Sequence, residues 1–135
     1  MPAGYSATPL ARKLGLKDGM TVWQSGLPDS VAAEIAGTAD IHWMGGEPDH
    51  PVAAHLFTTE KSVLKRRLRQ LRDTMTQDGF VWISWPKKAS KVETDITEDV
   101  IRDVALPMGL VDIKVCAVDE TWSGLKLVIR KELRR

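Results

Sequence analysis

The stretch that decides the fold runs from Trp85 to Lys131 and reads WPKKASKVETDITEDVIRDVALPMGLVDIKVCAVDETWSGLKLVIRK. An apolar β-like segment ends in a lysine pair, a helical segment follows, and two β-like segments come last, with Trp122 at the bend between them. Open α/β sheets end in this order, and they bind ligands beyond the carboxyl ends of their strands. The stretch contains no recognisable nucleophile, metal set or phosphate loop, so it predicts a fold more firmly than an activity.

Upstream of this stretch, strand-like and helix-like segments alternate, which predicts that the first four strands are mostly parallel. We predict a single Rossmann-like α/β domain over residues 1–135, with three layers and an open mixed sheet of about six strands closed by an antiparallel hairpin. The link from Met44 to Val52 is short for a right-handed crossover, so the direction of the third strand is the weakest part of this topology. The predicted strands are 21–26, 41–44, 52–58, 80–85, 110–118 and 124–131, and the predicted helices are 11–16, 28–36, 60–77 and one from Asp95 to about residue 106, after a loose N-terminal arm at 1–10.

Helix boundaries are predicted from local signals. In the longest helix the apolar residues Leu64, Leu68, Leu71 and Met75 recur with a helical period, and Thr59 is placed to cap the first turn. Asp95 and Glu98 have the spacing of a capping box for the next helix.

The composition bounds the function. The chain has 135 residues, 43% of them hydrophobic and 27% charged, and its net charge of +1 argues against wholesale binding to nucleic acid or membranes. A single cysteine, Cys116, cannot form an internal disulfide and suits a reducing cytoplasm. The N-terminus lacks the long apolar run that is typical of a signal peptide, and no apolar run of 18 residues is present that would span a bilayer.

Charge is unevenly distributed. Residues 60–91 contain nine Lys or Arg against three acids, whereas residues 92–112 contain six acids against one Arg. The two segments are expected either to neutralise each other or to leave the basic one free for binding.

The order of elements resembles that of S-adenosylmethionine-dependent methyltransferases, with the third β-α unit of that family missing. Residues 16–22 (LKDGMTV) look like the usual lead-in to the first strand, but the following turn has the single glycine Gly26 where the family has two or three. The resemblance implies a cofactor contact at Gly26 and a ribose contact at Glu47, which lies 21 residues further on. Thr58 and Thr59 stand at the family's catalytic edge, where many members have an acid or asparagine.

Three blocks resemble a bacterial family of small single-domain proteins of unknown function. They are GYSATPL at residues 4–10, WPKKAS at 85–90 and VDETWSGLK at 118–126. This resemblance implies a complete chain rather than a fragment of an enzyme, and it implies no activity.

The candidate site lies where the central strand ends in the lysine pair. Two ammonium groups and a hydroxyl there suit an anion such as phosphate or carboxylate, with Gly26 allowing close approach and two indoles forming the pocket walls. The alternative is a solvated loop whose lysines pair with Glu93, Asp95 or Asp99. The residues of the predicted ligand site are Gly26, Trp85, Lys87, Lys88, Ser90 and Trp122.

The hypothesis drawn from these residues is a non-catalytic domain, with no cofactor and no metal, that binds an anionic small molecule or a protein partner. Its first alternative is a reduced S-adenosylmethionine-dependent methyltransferase using Gly26 and Glu47. A second alternative is nucleic-acid binding through the basic helix 60–77, for which no stacking motif is present. His42 and His55 are expected in satisfied structural roles, since no histidine pair has metal-ligand spacing with a third ligand nearby.

Overall fold

The computed structural model describes residues 8–135, so most of the predicted N-terminal arm lies outside the described residues. Short 3-10 turns follow β4, α4 and β6. The strands are β1 (Thr21–Ser25), β2 (His42–Met44), β3 (Ala53–Phe57), β4 (Phe80–Pro86), β5 (Leu110–Ala117) and β6 (Trp122–Ile129). The helices are α1 (Leu10–Lys13), α2 (Asp29–Ala36), α3 (Lys61–Thr74) and α4 (Glu98–Ala105).

The six strands form one sheet in the order β2-β1-β3-β4-β6-β5. Strands β1 to β4 pair in parallel, and β6 lies antiparallel between β4 and β5. The predicted α/β Rossmann-like fold with a closing antiparallel hairpin is therefore confirmed. Trp122 is the first residue of β6 rather than part of the bend, because the Asp119 carboxylate accepts backbone N–H bonds from Thr121 and Trp122 and closes the turn before it.

The short link from β2 to β3 is explained by the stagger of these two strands on either side of β1. Trp23 pairs with Met44 at the end of β2 and also with Ala54 near the start of β3. Since β2 ends at the level where β3 begins, the chain only has to move sideways across β1. Strand β3 is thus placed parallel to β1 without the long return segment that a full crossover needs.

Each face of the sheet has its own hydrophobic core. Leucines of α3 and apolar residues of α4 cover one face, around the fully buried Ile83. Residues of α1 and α2 cover the other face, around Trp82, whose indole N–H donates to the Leu14 carbonyl at 2.9 Å. Successive residues of β4 point to opposite faces, which is why this nearly all-apolar strand serves both cores.

The helix caps differ from those predicted. Asp95 does not cap α4 but accepts a 2.7 Å bond from the backbone N–H of Lys61, so it caps the start of α3 in place of Thr59. Thr97 caps α4 by accepting from the Val100 N–H at 3.2 Å. The prediction was wrong because a long-range contact, which no local pattern contains, took Asp95 away from its own helix.

Candidate functional site

The carboxyl ends of the parallel strands form one rim of the sheet. Gly26 follows β1, Thr58 follows β3 and Lys87 follows β4 at this rim. The strand order reverses between β1 and β3, and such switch points are where open α/β sheets bind ligands. The Thr58 hydroxyl accepts from the Glu60 N–H at 3.1 Å, so it is engaged in the turn that leads into α3.

Gly26 brings the β1–α2 turn directly against the end of β3. Its φ of +74° is in the left-handed region, and a Cβ on it would lie 2.4 Å from the Phe57 carbonyl oxygen. Glycine at this position is therefore required by the close approach of two backbone segments. The predicted role of Gly26 toward a ligand stays a prediction.

The loop that follows β4 (residues 87–91, the lysine loop) is anchored to the β5–β6 turn. The backbone N–H of Lys87 donates to the Thr121 carbonyl at 2.7 Å, so the loop and the turn lie side by side at the rim. The Ser90 hydroxyl donates to the Lys87 carbonyl at 2.6 Å and accepts from the Val92 N–H at 3.3 Å. Ser90 therefore stabilises the loop itself, which leaves the two lysines as the groups available to an anion.

The two predicted wall residues, Trp85 and Trp122, lie on opposite faces of the sheet. Trp85 pairs with Ser123 and is buried in the core under α3 and α4. Trp122 pairs with Pro86, packs against the other core and meets the Phe57 ring edge-on, with centroids 5.3 Å apart. The two indoles do not wall one pocket, because adjacent pairs of an antiparallel ladder alternate between the two faces.

Glu47 lines a groove of about 240 Å³. The groove opens beside the loop that links β2 to β3 (residues 45–52, the crossover loop). The Glu47 carboxylate accepts from Gln70 Nε2 of α3 at 3.3 Å, and Gln70 accepts in turn from Arg67 at 3.1 Å. The Trp23 indole donates to the Gly46 carbonyl at 3.0 Å and fixes the loop on the α3 side of β1. The groove is lined by Thr21, Trp23, Met44, Gly45, Glu47, Asp49, His50, Pro51 and Val52.

Gln70 and Arg67 contribute to this site without any signal in the sequence. Both lie on α3, and Arg67 also places its guanidinium carbon 5.7 Å from the centre of the Trp23 ring. A surface glutamine and arginine at i, i+3 spacing are common on helices, so only the tertiary contact marks them.

His55 and Ser84 form a buried polar pair at the centre of the sheet. His55 Nε2 lies 2.6 Å from Ser84 Oγ, while His55 Nδ1 is buried without a hydrogen-bond partner. Burial lowers the pKa of His55 from its ordinary 6.5 to about 3, so the imidazole is neutral at pH 7. Because solvent reaches neither side chain, the pair cannot receive a substrate and acts in the core.

The basic and acidic segments do not neutralise each other through ion pairs. Arg102 binds three carboxylates of its own surroundings, those of Glu98, Asp99 and Asp112. Across residues 8–135, no ion pair joins the basic residues 60–91 to the acids of 92–112. Within α3, Arg69 pairs with Asp73, and Arg72 donates to the Met108 carbonyl at 2.8 Å. Nucleic-acid binding through this helix stays a prediction.

The described part of the chain, residues 8–135, contains neither a metal-ligand cluster nor a membrane-spanning helix. No group of three or more His, Cys, Asp or Glu residues is arranged to hold a metal ion there. None of the helices in that part has the length and apolar character needed to cross a membrane.

Comparison with known proteins gives likeness at the level of fold. No family model and no curated protein sequence matches the chain. The precorrin-6y C5,15-methyltransferase of Geobacter metallireducens GS-15 superposes with a TM-score of 0.57 at 9% identity, covering 87% of this chain and 84% of that one. A SAM-dependent methyltransferase from Aquifex aeolicus gives a TM-score of 0.55 at 14% identity, with coverages of 89% and 87%.

A third similar structure was solved with a bound small molecule. Aeropyrum pernix fibrillarin, in complex with natively bound S-adenosyl-L-methionine, gives a TM-score of 0.57 at 12% identity and covers 88% of this chain and 73% of that one. The six-stranded mixed sheet and its helices form a Rossmann-like fold, and the likeness to these structures shows that it is the fold that methyltransferases have.

Proposed function

We propose that this protein is a reduced S-adenosylmethionine-dependent methyltransferase whose ribose-binding carboxylate is Glu47. The observation that carries the proposal is the position of Glu47 in the loop directly after β2, held by Gln70 at the edge of a groove beside β1. A carboxylate fixed in this way accepts hydrogen bonds from two neighbouring hydroxyl groups, as a ribose presents them.

The charge of the groove supports a cationic ligand. Glu47 and Asp49 both line it, and S-adenosylmethionine carries a positive sulfonium that an anionic surface attracts. Strand β2 forms this edge of the sheet, since the chain lacks the third β-α unit of the resembling family. The exposed side chains of Met44 and Val52 border the groove. Apolar surface at this edge would pack against the adenine ring.

The test is calorimetric titration with S-adenosylmethionine. Micromolar binding is expected, and Glu47→Gln is expected to weaken it about tenfold, which corresponds to about 1.4 kcal/mol, through loss of the charge-assisted hydrogen bonds. Asp103→Asn is the matched control, since Asp103 is an exposed acid of α4 distant in the fold from the groove.

Two results would contradict this proposal at different levels. If the unaltered protein binds S-adenosylmethionine only at millimolar concentration or not at all, the proposal that it is a methyltransferase is wrong. Micromolar binding that Glu47→Gln leaves unchanged would keep the cofactor but remove Glu47 as its ribose contact.

A second candidate function is anion binding at the lysine loop, and it has its own support. Across residues 8–135, no carboxylate forms an ion pair with Lys87 or Lys88. Of the expected partners, Asp95 caps α3 and Asp99 pairs with Arg102. Both ammonium groups are therefore left without a carboxylate at the carboxyl end of a central strand.

Pyrophosphate is a suitable probe for this loop. Its affinity is expected to fall at least tenfold in the double variant Lys87→Ala, Lys88→Ala, because two ammonium groups leave the site while the backbone anchor to Thr121 remains. The backbone amide of Thr121 should report the binding in a nuclear magnetic resonance titration. Unchanged affinity in the double variant would rule out the lysine grip.

A further inference from the structure

A β-bulge in β5 turns a lysine toward another lysine. The register of β5 against β6 shifts between Asp112 and Lys114, so that Lys114 lies directly opposite Lys126. Without the shift, Ile113 would occupy that position and Lys114 would point to the other face of the sheet. Bulges re-aim side chains and are enriched beside functional sites, whereas like charges opposite each other destabilise a ladder.

Lys126 is held in place by aromatic rings. Its Nζ lies 4.3 Å from the centre of the Phe80 ring and 6.0 Å from that of Trp82, on the α1 side of the sheet. Burial lowers the pKa of Lys126, and the charge of Lys114 lowers it further. The side chain is therefore partly desolvated beside a second cation.

Lys13, at the end of α1, lies next to this pair of lysines. The Nζ of Lys114 donates to the backbone carbonyl of Lys13 at 3.0 Å, which ties β5 to the end of α1. Burial raises the pKa of the neighbouring Cys116 thiol, and the charges of Lys13 and Lys114 both act on that thiol in the opposite direction. Lys13 and Lys114 thus lie near Cys116, on the same face of the sheet as Lys126.

Nothing in the described part of the chain neutralises this cluster. No carboxylate of residues 8–135 forms an ion pair with any of the three lysines. Residues 1–7 contain no acid at all. Two lysines set face to face by a bulge, with no carboxylate in ion-pair contact, leave positive charge to which an external anion would be attracted.

We propose that Lys13, Lys114 and Lys126 form a binding site for a small phosphate-class oxyanion on the α1 side of the sheet. Ammonium groups from β5, β6 and α1 would surround a compact ion carrying two or more negative charges, which suits a phosphate group better than a single carboxylate. Phe80 and Trp82 form the floor of the site beneath Lys126. The site is separate from both the Glu47 groove and the lysine loop at the rim.

The experiment is a titration of ¹⁵N-labelled protein with inorganic phosphate, with ionic strength held constant by chloride. Saturable shifts of the Trp82 indole N–H are expected, with a dissociation constant below a few millimolar. Lys126→Met should raise this constant at least tenfold, and Lys114→Arg, which keeps the charge, should leave it within about threefold. Lys131→Met, at an exposed lysine of the turn that follows β6, is the matched control and should bind phosphate as the unaltered protein does.

A parallel titration with adenosine monophosphate separates the two sources of the group. Tighter binding of the nucleotide assigns the site to a phosphate ester, and tighter binding of free phosphate assigns it to the inorganic ion. Shifts that stay linear with both probes, or saturable shifts that persist unchanged in Lys126→Met, would overturn the proposal. Since folding of the variants is visible in the same spectra, loss of structure cannot be mistaken for loss of binding.

Discussion

Replacing Gly26 with alanine is expected to lower the free energy of unfolding by about 2–5 kcal/mol, as measured by urea denaturation. The left-handed backbone at φ +74° accounts for roughly 1–2 kcal/mol of this loss. The remainder, about 1–3 kcal/mol, comes from the new methyl group, because its carbon would lie 2.4 Å from the Phe57 carbonyl oxygen and one backbone segment would have to move.

Gly46→Ala is the matched control for this substitution. Gly46 has nearly the same φ, +75°, but a Cβ there meets nothing within 4 Å. Its loss of stability should be limited to the backbone strain of roughly 1–2 kcal/mol. If Gly26→Ala and Gly46→Ala destabilise the protein equally, the β1–α2 turn does not approach β3 as closely as described.

Acid is expected to destabilise the fold through His55. The pKa of His55 is about 3 in the folded protein and near 6.5 in the unfolded chain, so between these values the unfolded state binds more protons. Stability from this group is therefore fully present above pH 6.5 and decreases as the pH falls toward 3. The loss is about 1.4 kcal/mol per pH unit and reaches at most about 5 kcal/mol.

The contribution of His55 is measured as a difference between variants, because carboxylates also titrate in this range. His55→Gln is expected to flatten the dependence of the unfolding free energy on pH between 4 and 6.5, although it also loses packing at neutral pH. His42→Gln is the control, since His42 is exposed on β2 and its replacement should leave the slope unchanged. A slope that stays the same in His55→Gln would show that the buried imidazole does not drive acid unfolding.

The buried pair also clarifies what the central strands contribute to function. His55 and Ser84 lie within hydrogen-bond distance in the middle of the sheet, yet neither reaches solvent. The groups proposed here to meet a ligand lie on the periphery: Glu47 in the crossover loop, the lysine loop after β4, and the lysine cluster beside α1. The centre of the sheet is thus a buried support, and the proposed binding sites lie where its strands end or bulge.

Hydrophobic periodicity predicted most of the elements, because it is a local property. The continuous apolar run of β4 and the helical spacing of Leu64, Leu68 and Leu71 each specify an element without reference to the rest of the chain. The alternation of these elements then predicted a Rossmann-like sheet with parallel strands first and an antiparallel pair last, as the structure has it. Glu47 was singled out from the spacing of a resembling family, and the structure places it beside a groove, while its contact with a ribose stays a prediction.

Register and long-range contact were decided only by the tertiary structure. The stagger of β2 and β3 across β1 made a short link sufficient, and strand alternation set Trp85 and Trp122 on opposite faces. The bulge that points Lys114 at Lys126 adds one residue to β5, and no local pattern marks it. Sequence windows of ten or so residues determine which elements form, whereas the pairing of distant residues depends on how all the elements pack together.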